Sequence, residues 1–144
     1  YEALIADPEK IPGAIDEVLR YSPSITAWRR KAVKDGEIGG VKIPAGSNVL
    51  LVMGSANRDD AVFDQPDAFD IGRENARNHL AFGYGIHYCL GNMLAKLQAR
   101  VALEEITKNV PSLRLKSGAE ISFGNNLSFR VPTAVPVEWD VAAA

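Results

Sequence analysis

Apolar positions fall into three rhythms along the chain. In IPGAIDEVLRY, residues 11–21, Ile11, Ala14, Ile15, Val18 and Leu19 share one face of a 3.6-residue period, Pro12 suits a first turn and Pro23 stops the run, which predicts a short amphipathic helix. ITAWRRKAV and VKIPAGSNVLLVMGSAN are rich in β-branched and aromatic residues and are bounded by the turn signals Asp35-Gly36 and Pro44-Ala45-Gly46, predicting short strands paired as hairpins. From Cys89 onward Leu90, Leu94, Leu97, Val101 and Ile106 recur at helical spacing until Asn109 and Pro111, predicting the longest helix, with Cys89 in its first turn.

Between these runs, residues 57–78 show no period and are crowded with Asp, Asn, Pro and Gly, yet hold Phe63, Phe69 and Ile71 as anchors. An ordered, meandering loop is expected, and so long a loop in a compact domain is usually functional. Beyond Pro111, short apolar pairs (Leu113 and Leu115, Ile121 and Phe123, Val135 and Val137) alternate with turn residues and suggest small hairpins. No repeat, low-complexity tract or linker interrupts the chain, so residues 1–144 read as one unit of mixed α+β class.

Composition narrows the function. At 47% hydrophobic and 24% charged residues the chain is globular, and no apolar run approaches a membrane span. Sixteen Lys and Arg against 18 Asp and Glu give a net charge of −2, which offers no drive toward nucleic acid or an anionic membrane. The single cysteine forbids an internal disulfide and fits a reducing cytoplasm. The chain opens at Tyr1 with no Met and no signal-peptide pattern, which reads as the interior of a longer protein.

That cysteine lies in HLAFGYGIHYCLG, residues 79–91. A lone Cys is most often a small buried hydrophobe. At a helix N-terminus, however, unpaired N–H groups and the helix dipole favour a thiolate, the form that binds metal. Gly83, Gly85 and Gly91 leave room for a broad, flat ligand to approach the backbone. Zinc would need more ligands than Cys89, His79 and His87 offer, C-x-x-C-H is absent, and iron–sulfur clusters need several cysteines. One axial thiolate on a haem iron needs only one. Gly83-Tyr84-Gly85 begins like a dinucleotide loop, but Tyr88 occupies its sixth position and no strand precedes it.

Phe82, Gly85, Cys89 and Gly91 match F-x-x-G-x-x-x-C-x-G, the signature of the cytochromes P-450, and Glu17 and Arg20 match that family's E-x-x-R motif. Nearly the whole chain resembles the carboxy-terminal part of a soluble bacterial member: K helix, small β hairpins, meander, cysteine-ligand loop, long L helix and C-terminal hairpins. The resemblance implies haem b, with Cys89 as the proximal ligand pushing electron density onto iron. It places Phe82 beside the ring, Gly83, Gly85 and Gly91 around the ligand, and His87 and Arg30 on the haem propionates. It implies that Glu17 and Arg20 are buried in a network with a meander arginine. Ala68 stands where that arginine often falls, so the third partner is another residue, such as Arg58 or Arg73, or is missing.

By the same resemblance Ile25, Thr26 and Ala27, together with Leu127, Ser128 and Phe129, are candidate substrate contacts. Lys96 and Arg100 are candidate contacts for an acidic ferredoxin-type redox partner. His79 takes no role. The complete enzyme would insert one oxygen atom from O₂ into a small organic substrate. The oxygen-activating helix of the family is absent from these 144 residues, so no catalytic residue is assigned and oxygenation by this chain alone is not expected. The rival readings are a truncated, non-catalytic module that binds no haem and a thiol-based redox enzyme with a reactive Cys89.

Overall fold

A computed structural model describes residues 1–141, beginning with the short helix α1 (Glu2–Ala6), a 3₁₀ turn at Pro8–Lys10 and α2 (Ile11–Tyr21). The predicted face of α2 buries Ile11, Ala14 and Ile15 against Leu4, with Leu19, Ile71, Ala99 and Leu103 packed around them. Val18, at the edge of that stripe, stays half exposed. The helix ends where Ser22 donates to the Val18 carbonyl, because Pro23 bars its predecessor from helical geometry.

Four strands follow: β1 (Trp28–Lys31), β2 (Gly36–Ile38), β3 (Val41–Ile43) and β4 (Asn48–Leu51). The sequence suggested hairpins between neighbours; instead one ribbon is nested inside another. β1 pairs antiparallel with β4, Trp28 opposite Leu51 and Lys31 opposite Asn48, and the β2–β3 hairpin projects from between them. The two turn signals are the shoulders of that projection, tied together by the Ala45 amide on Asp35 Oδ1 (2.7 Å) and the Gly46 amide on the Ala32 carbonyl (2.7 Å). The hairpin tip is Gly39-Gly40, both at positive φ as a two-residue turn demands.

The strand reading of residues 41–57 runs too far. After Leu51 the chain makes one helical turn, α3 (Met53–Ala56), which buries Met53 and sends the Gly54 amide to the Thr26 carbonyl. The meander then runs as expected around the buried Phe63, with Phe69 edge-on to Tyr21, and closes in a 3₁₀ turn at Ala76–Asn78.

The long helix is α4 (Asn92–Asn109). It packs on α2 through Ala99 and Leu103, and the Tyr1 hydroxyl caps its end by donating to the Ile106 and Val110 carbonyls. Its predicted apolar stripe is the largest departure from expectation. Leu90 is fully exposed and Leu94, Leu97 and Val101 remain about half exposed, so the periodicity was real but its partner surface is not among the described residues. Beyond α4, β5 (Arg114–Leu115) pairs with β6 (Val137–Glu138), and the Phe123–Pro132 bridge closes the loop they enclose. Ile25 forms a further antiparallel bridge with Phe129. Among the described residues no helix is long and apolar enough to cross a membrane.

Candidate functional site

Cys89 stands before α4 rather than in its first turn. Gly91 is the N-cap, and the Cys89 carbonyl accepts from the Asn92 amide (3.2 Å) and Asn92 Nδ2 (2.8 Å). The Cys89 amide donates to the Phe82 carbonyl at 2.9 Å, closing a loop that contains a 3₁₀ turn at Gly85–His87. Gly83 (φ 75°) and Gly85 (φ 68°) occupy the left-handed region, where a Cβ is strained. Gly91 (φ −85°) does not; it lies beside the thiol, where an added Cβ would sit 3.9 Å from Sγ.

The half-buried thiol borders a cavity of about 980 Å³. Leu80, Ala81 and Phe82 form the wall beside the cysteine loop, and Ile25, Trp28 and Leu51 face it from the sheet. The cavity therefore lies between the only thiol and the β1–β4 ribbon. Arg30 and His87 both line it and are both exposed at its edge; the Arg30 guanidinium donates to the Arg29 carbonyl at 2.9 Å.

The two segments read as substrate contacts meet one another. The Thr26 amide donates to the Ser128 carbonyl (2.8 Å), Thr26 Oγ1 reaches the Leu127 carbonyl (3.0 Å), and Ile25 bridges Phe129. Trp28 packs edge-to-face on Phe129 with ring centroids 5.7 Å apart. Ile25 lines the cavity, whereas Ala27 is buried behind it.

Glu17 and Arg20 would be a surface i,i+3 pair by spacing alone, yet both are fully buried. The Arg20 fork gives Glu17 two bonds, at 2.7 and 2.8 Å, and donates to the carbonyls of Asn57, Pro66 and Ala68. Arg73 is the third partner, its Nε 3.3 Å from Glu17 Oε2, and the Asp70 amide adds a bond at 2.9 Å. Arg58 turns instead to Asp67 and the Tyr21 carbonyl. Ala68 needs no side chain here, because its carbonyl is shared by Arg20 and Arg73. Burial alone would raise the Glu17 carboxyl, but these donors outweigh it and hold it below the ordinary value.

Two residues that the sequence left without a role complete the surroundings. Asn57, fully buried, accepts the Leu80 amide on Oδ1 at 2.7 Å while its carbonyl takes Arg20. His79, also buried, accepts the Ala81 amide on Nδ1 at 3.2 Å, and its Nε2 lies 3.6 Å from Asp16 Oδ1. Burial, then the nearby Lys96 charge, push the His79 pKa down against the opposing pull of Asp16. An isolated Asn or His in a loop gives no periodic signal, so only its position in the fold reveals it. Lys96 is not the open cation its sequence position suggested: its Nζ is 2.6 Å from Asp16 Oδ1, without the alignment of a hydrogen bond. Arg100 pairs with Glu104 at 2.7 Å along α4.

The only thiol thus borders a large, mainly apolar cavity in a fold held by a buried Glu17–Arg20–Arg73 network. The family model for Cytochrome P450 matches residues 11–111, and the chain belongs to that family. It is 46% identical over 114 residues to the 20-oxo-5-O-mycaminosyltylactone 23-monooxygenase of Streptomyces fradiae, covering 79% of this chain and 27% of that protein. It is 37% identical over 143 residues to the steroid C26-monooxygenase of Mycolicibacterium smegmatis, covering 99% of this chain and 35% of that one. Among solved structures, cytochrome P450 CREJ superposes on 96% of this chain and 35% of its own with a TM-score of 0.92 at 65% identity. The chain thus spans about a third or less of the length of these relatives. Family members are monooxygenases, and haem b is their cofactor.

Proposed function

We propose that this chain supplies the thiolate side of a monooxygenase, with Cys89 as the axial ligand of haem b. The observation that carries the reading is the placement of the only cysteine on the border of the 980 Å³ cavity, in a loop whose glycines keep side chains away from it. The lining suits a flat, largely apolar ring with two acidic arms. Phe82 and Leu80 offer apolar contact, while Arg30 and His87 stand at the edge where carboxylates meet cations.

When bound, the haem supplies the reductive activation of O₂, drawing two electrons from a redox partner so that one oxygen atom enters the substrate and the other leaves as water. The chain's own residues hold the geometry. Cys89 presents its sulfur as thiolate, and the loop closed by its amide on the Phe82 carbonyl fixes the direction of approach. The Ile25–Phe129 bridge and the Thr26 bonds to the Leu127 and Ser128 carbonyls hold in place the wall from which Ile25 meets a small organic substrate.

An aromatic substrate fits this wall. A solved relative, 64% identical, carries (4-ethylphenyl) dihydrogen phosphate, and here Trp28, packed edge-to-face on Phe129, faces the cavity beside Ile25. The redox partner is a ferredoxin-type protein, separate or carried on the same chain; a solved relative, 46% identical, is an intact type IV self-sufficient cytochrome P450 monooxygenase.

The deciding experiment is the reduced carbon monoxide difference spectrum of the haem-loaded protein. The wild type is expected to give the long-wavelength Soret band from which the family takes its name, and Cys89→Ser to abolish it. A band unchanged in the variant places the ligand elsewhere. A wild type that takes up no haem makes the non-catalytic module the better reading.

A further inference from the structure

The loop that presents Cys89 has two stems. One runs into α4, where the cysteine carbonyl is bound by Asn92. The other, Leu80–Ala81–Phe82, lies in neither helix nor strand, so the amides of Leu80 and Ala81 must find partners outside any regular ladder. Both are taken by side chains: Leu80 by Asn57 Oδ1 at 2.7 Å and Ala81 by His79 Nδ1 at 3.2 Å. The next carbonyl, that of Phe82, receives the Cys89 amide.

We propose that Asn57 and His79 are positioning residues that set where Cys89 sits against the cavity, acting through the backbone of Leu80, Ala81 and Phe82. Asn57 suits the task because every polar group it owns is occupied. Its Nδ2 donates to the Leu19 carbonyl, its amide to the Met53 carbonyl, and its carbonyl receives Arg20. It therefore joins the Glu17–Arg20 network to the cysteine loop directly. Among the described residues neither Glu17 nor Arg20 makes a hydrogen bond to that loop; Asn57, bonded to both Arg20 and Leu80, links them.

His79 performs the same service one residue later. Accepting an amide on Nδ1 fixes the proton on Nε2, which faces Asp16 Oδ1. A doubly protonated ring would set one N–H against another and release Ala81. Burial and the Lys96 charge act against that protonation. The imidazole also packs against the Phe82 ring, centroids 5.8 Å apart, so it restrains both the backbone and the side chain beside the thiol.

This inference rests on the reading of Cys89 as the iron ligand, and the test separates the two. In the protein before haem loading, Asn57→Ala and His79→Phe should each speed amide exchange at Cys89 and alkylation of its thiol by about three- to tenfold, the effect of losing one hydrogen bond. In the haem-loaded protein the same variants should move the ferric–ferrous midpoint potential and convert part of the carbon monoxide band to its short-wavelength form. His79→Asn, whose Oδ1 stands in for Nδ1, should restore both. Leu4→Ala, a core change far from the loop, should lower stability without moving either. His79→Phe keeps the volume filled and serves where Asn57→Ala fails to fold. Unchanged exchange and alkylation at Cys89 would overturn the proposal even if Cys89→Ser proves the ligand. Altered exchange with a carbon monoxide spectrum indifferent to Cys89→Ser would keep the positioning role and remove the ligand.

Discussion

The two sides of α2 and α4 are finished to different degrees. Around Glu17 and Arg20 the chain buries two charges, and partners from α2 and the meander meet the carboxylate and all three guanidinium nitrogens. Elsewhere α4 exposes Leu94, Leu97 and Val101, and the thiol faces open volume. The polar groups of the Glu17–Arg20 pair are met on every side, whereas the apolar face of α4 is left uncovered. A buried charge network tolerates no missing member, whereas an apolar face can wait for its cover.

That contrast should appear most strongly at Arg20. Arg20→Leu removes two donors from the buried Glu17 carboxylate and the donor to the Asn57 and Pro66 carbonyls, and chemical denaturation should report a loss of about 3–5 kcal/mol or no folded protein. Arg20→Lys should rescue little, since an ammonium cannot reproduce the fork. Next in size, Leu103→Ala, on the face of α4 that packs against α2, should cost about 2 kcal/mol by the same measurement.

Acid should act more gradually, through two groups that are both depressed in the fold. Glu17, faced by Arg20 and Arg73, contributes stability above its ordinary value of 4.5 that is lost as pH falls through its lower folded value. His79, faced by Asp16 and Lys96, is kept neutral, so its share begins to fail as pH drops below 6.5. Thermal melts should therefore decline in two stages on acidification, and His79→Phe should remove the upper one. Smallest of all, Leu97→Ala on the open face should change the stability of this chain by less than about 0.5 kcal/mol. A cost like that of Leu103→Ala would mean that this face is already covered.

Much of this was legible from the residues. The α2 face and the α4 period follow from spacing, because periodicity records which side must be buried, and the meander follows from the lack of any period in a stretch crowded with turn residues. Spacing could not tell that the α4 stripe lacks its partner here, since a period states a need and not its fulfilment. Strand pairing was misread because turn residues mark bends without saying which strands meet across them. The cysteine loop was found through its signature, but its start relative to α4 was misplaced by three residues, the Asn92 bonds having taken the place of a helical turn. Arg73 was one of two candidates for the Glu17 network, and only packing could choose it over Arg58. Asn57 and His79 went unread because each acts through a single hydrogen bond to a residue's backbone, which leaves no mark on composition.

The clasp between Thr26 and the Leu127–Ser128 backbone joins residues 102 apart, and it sets an order of events during synthesis. At ribosomal speed, roughly 5 to 20 s pass between the emergence of its two halves. Within that interval the cysteine loop, residues 79–91, is completed, while the apolar ring of Trp28 still waits for Phe129 to cover it. The thiol side of the cavity is thus complete before the Ile25–Phe129 side, so the clasp closes onto a cysteine loop that already exists.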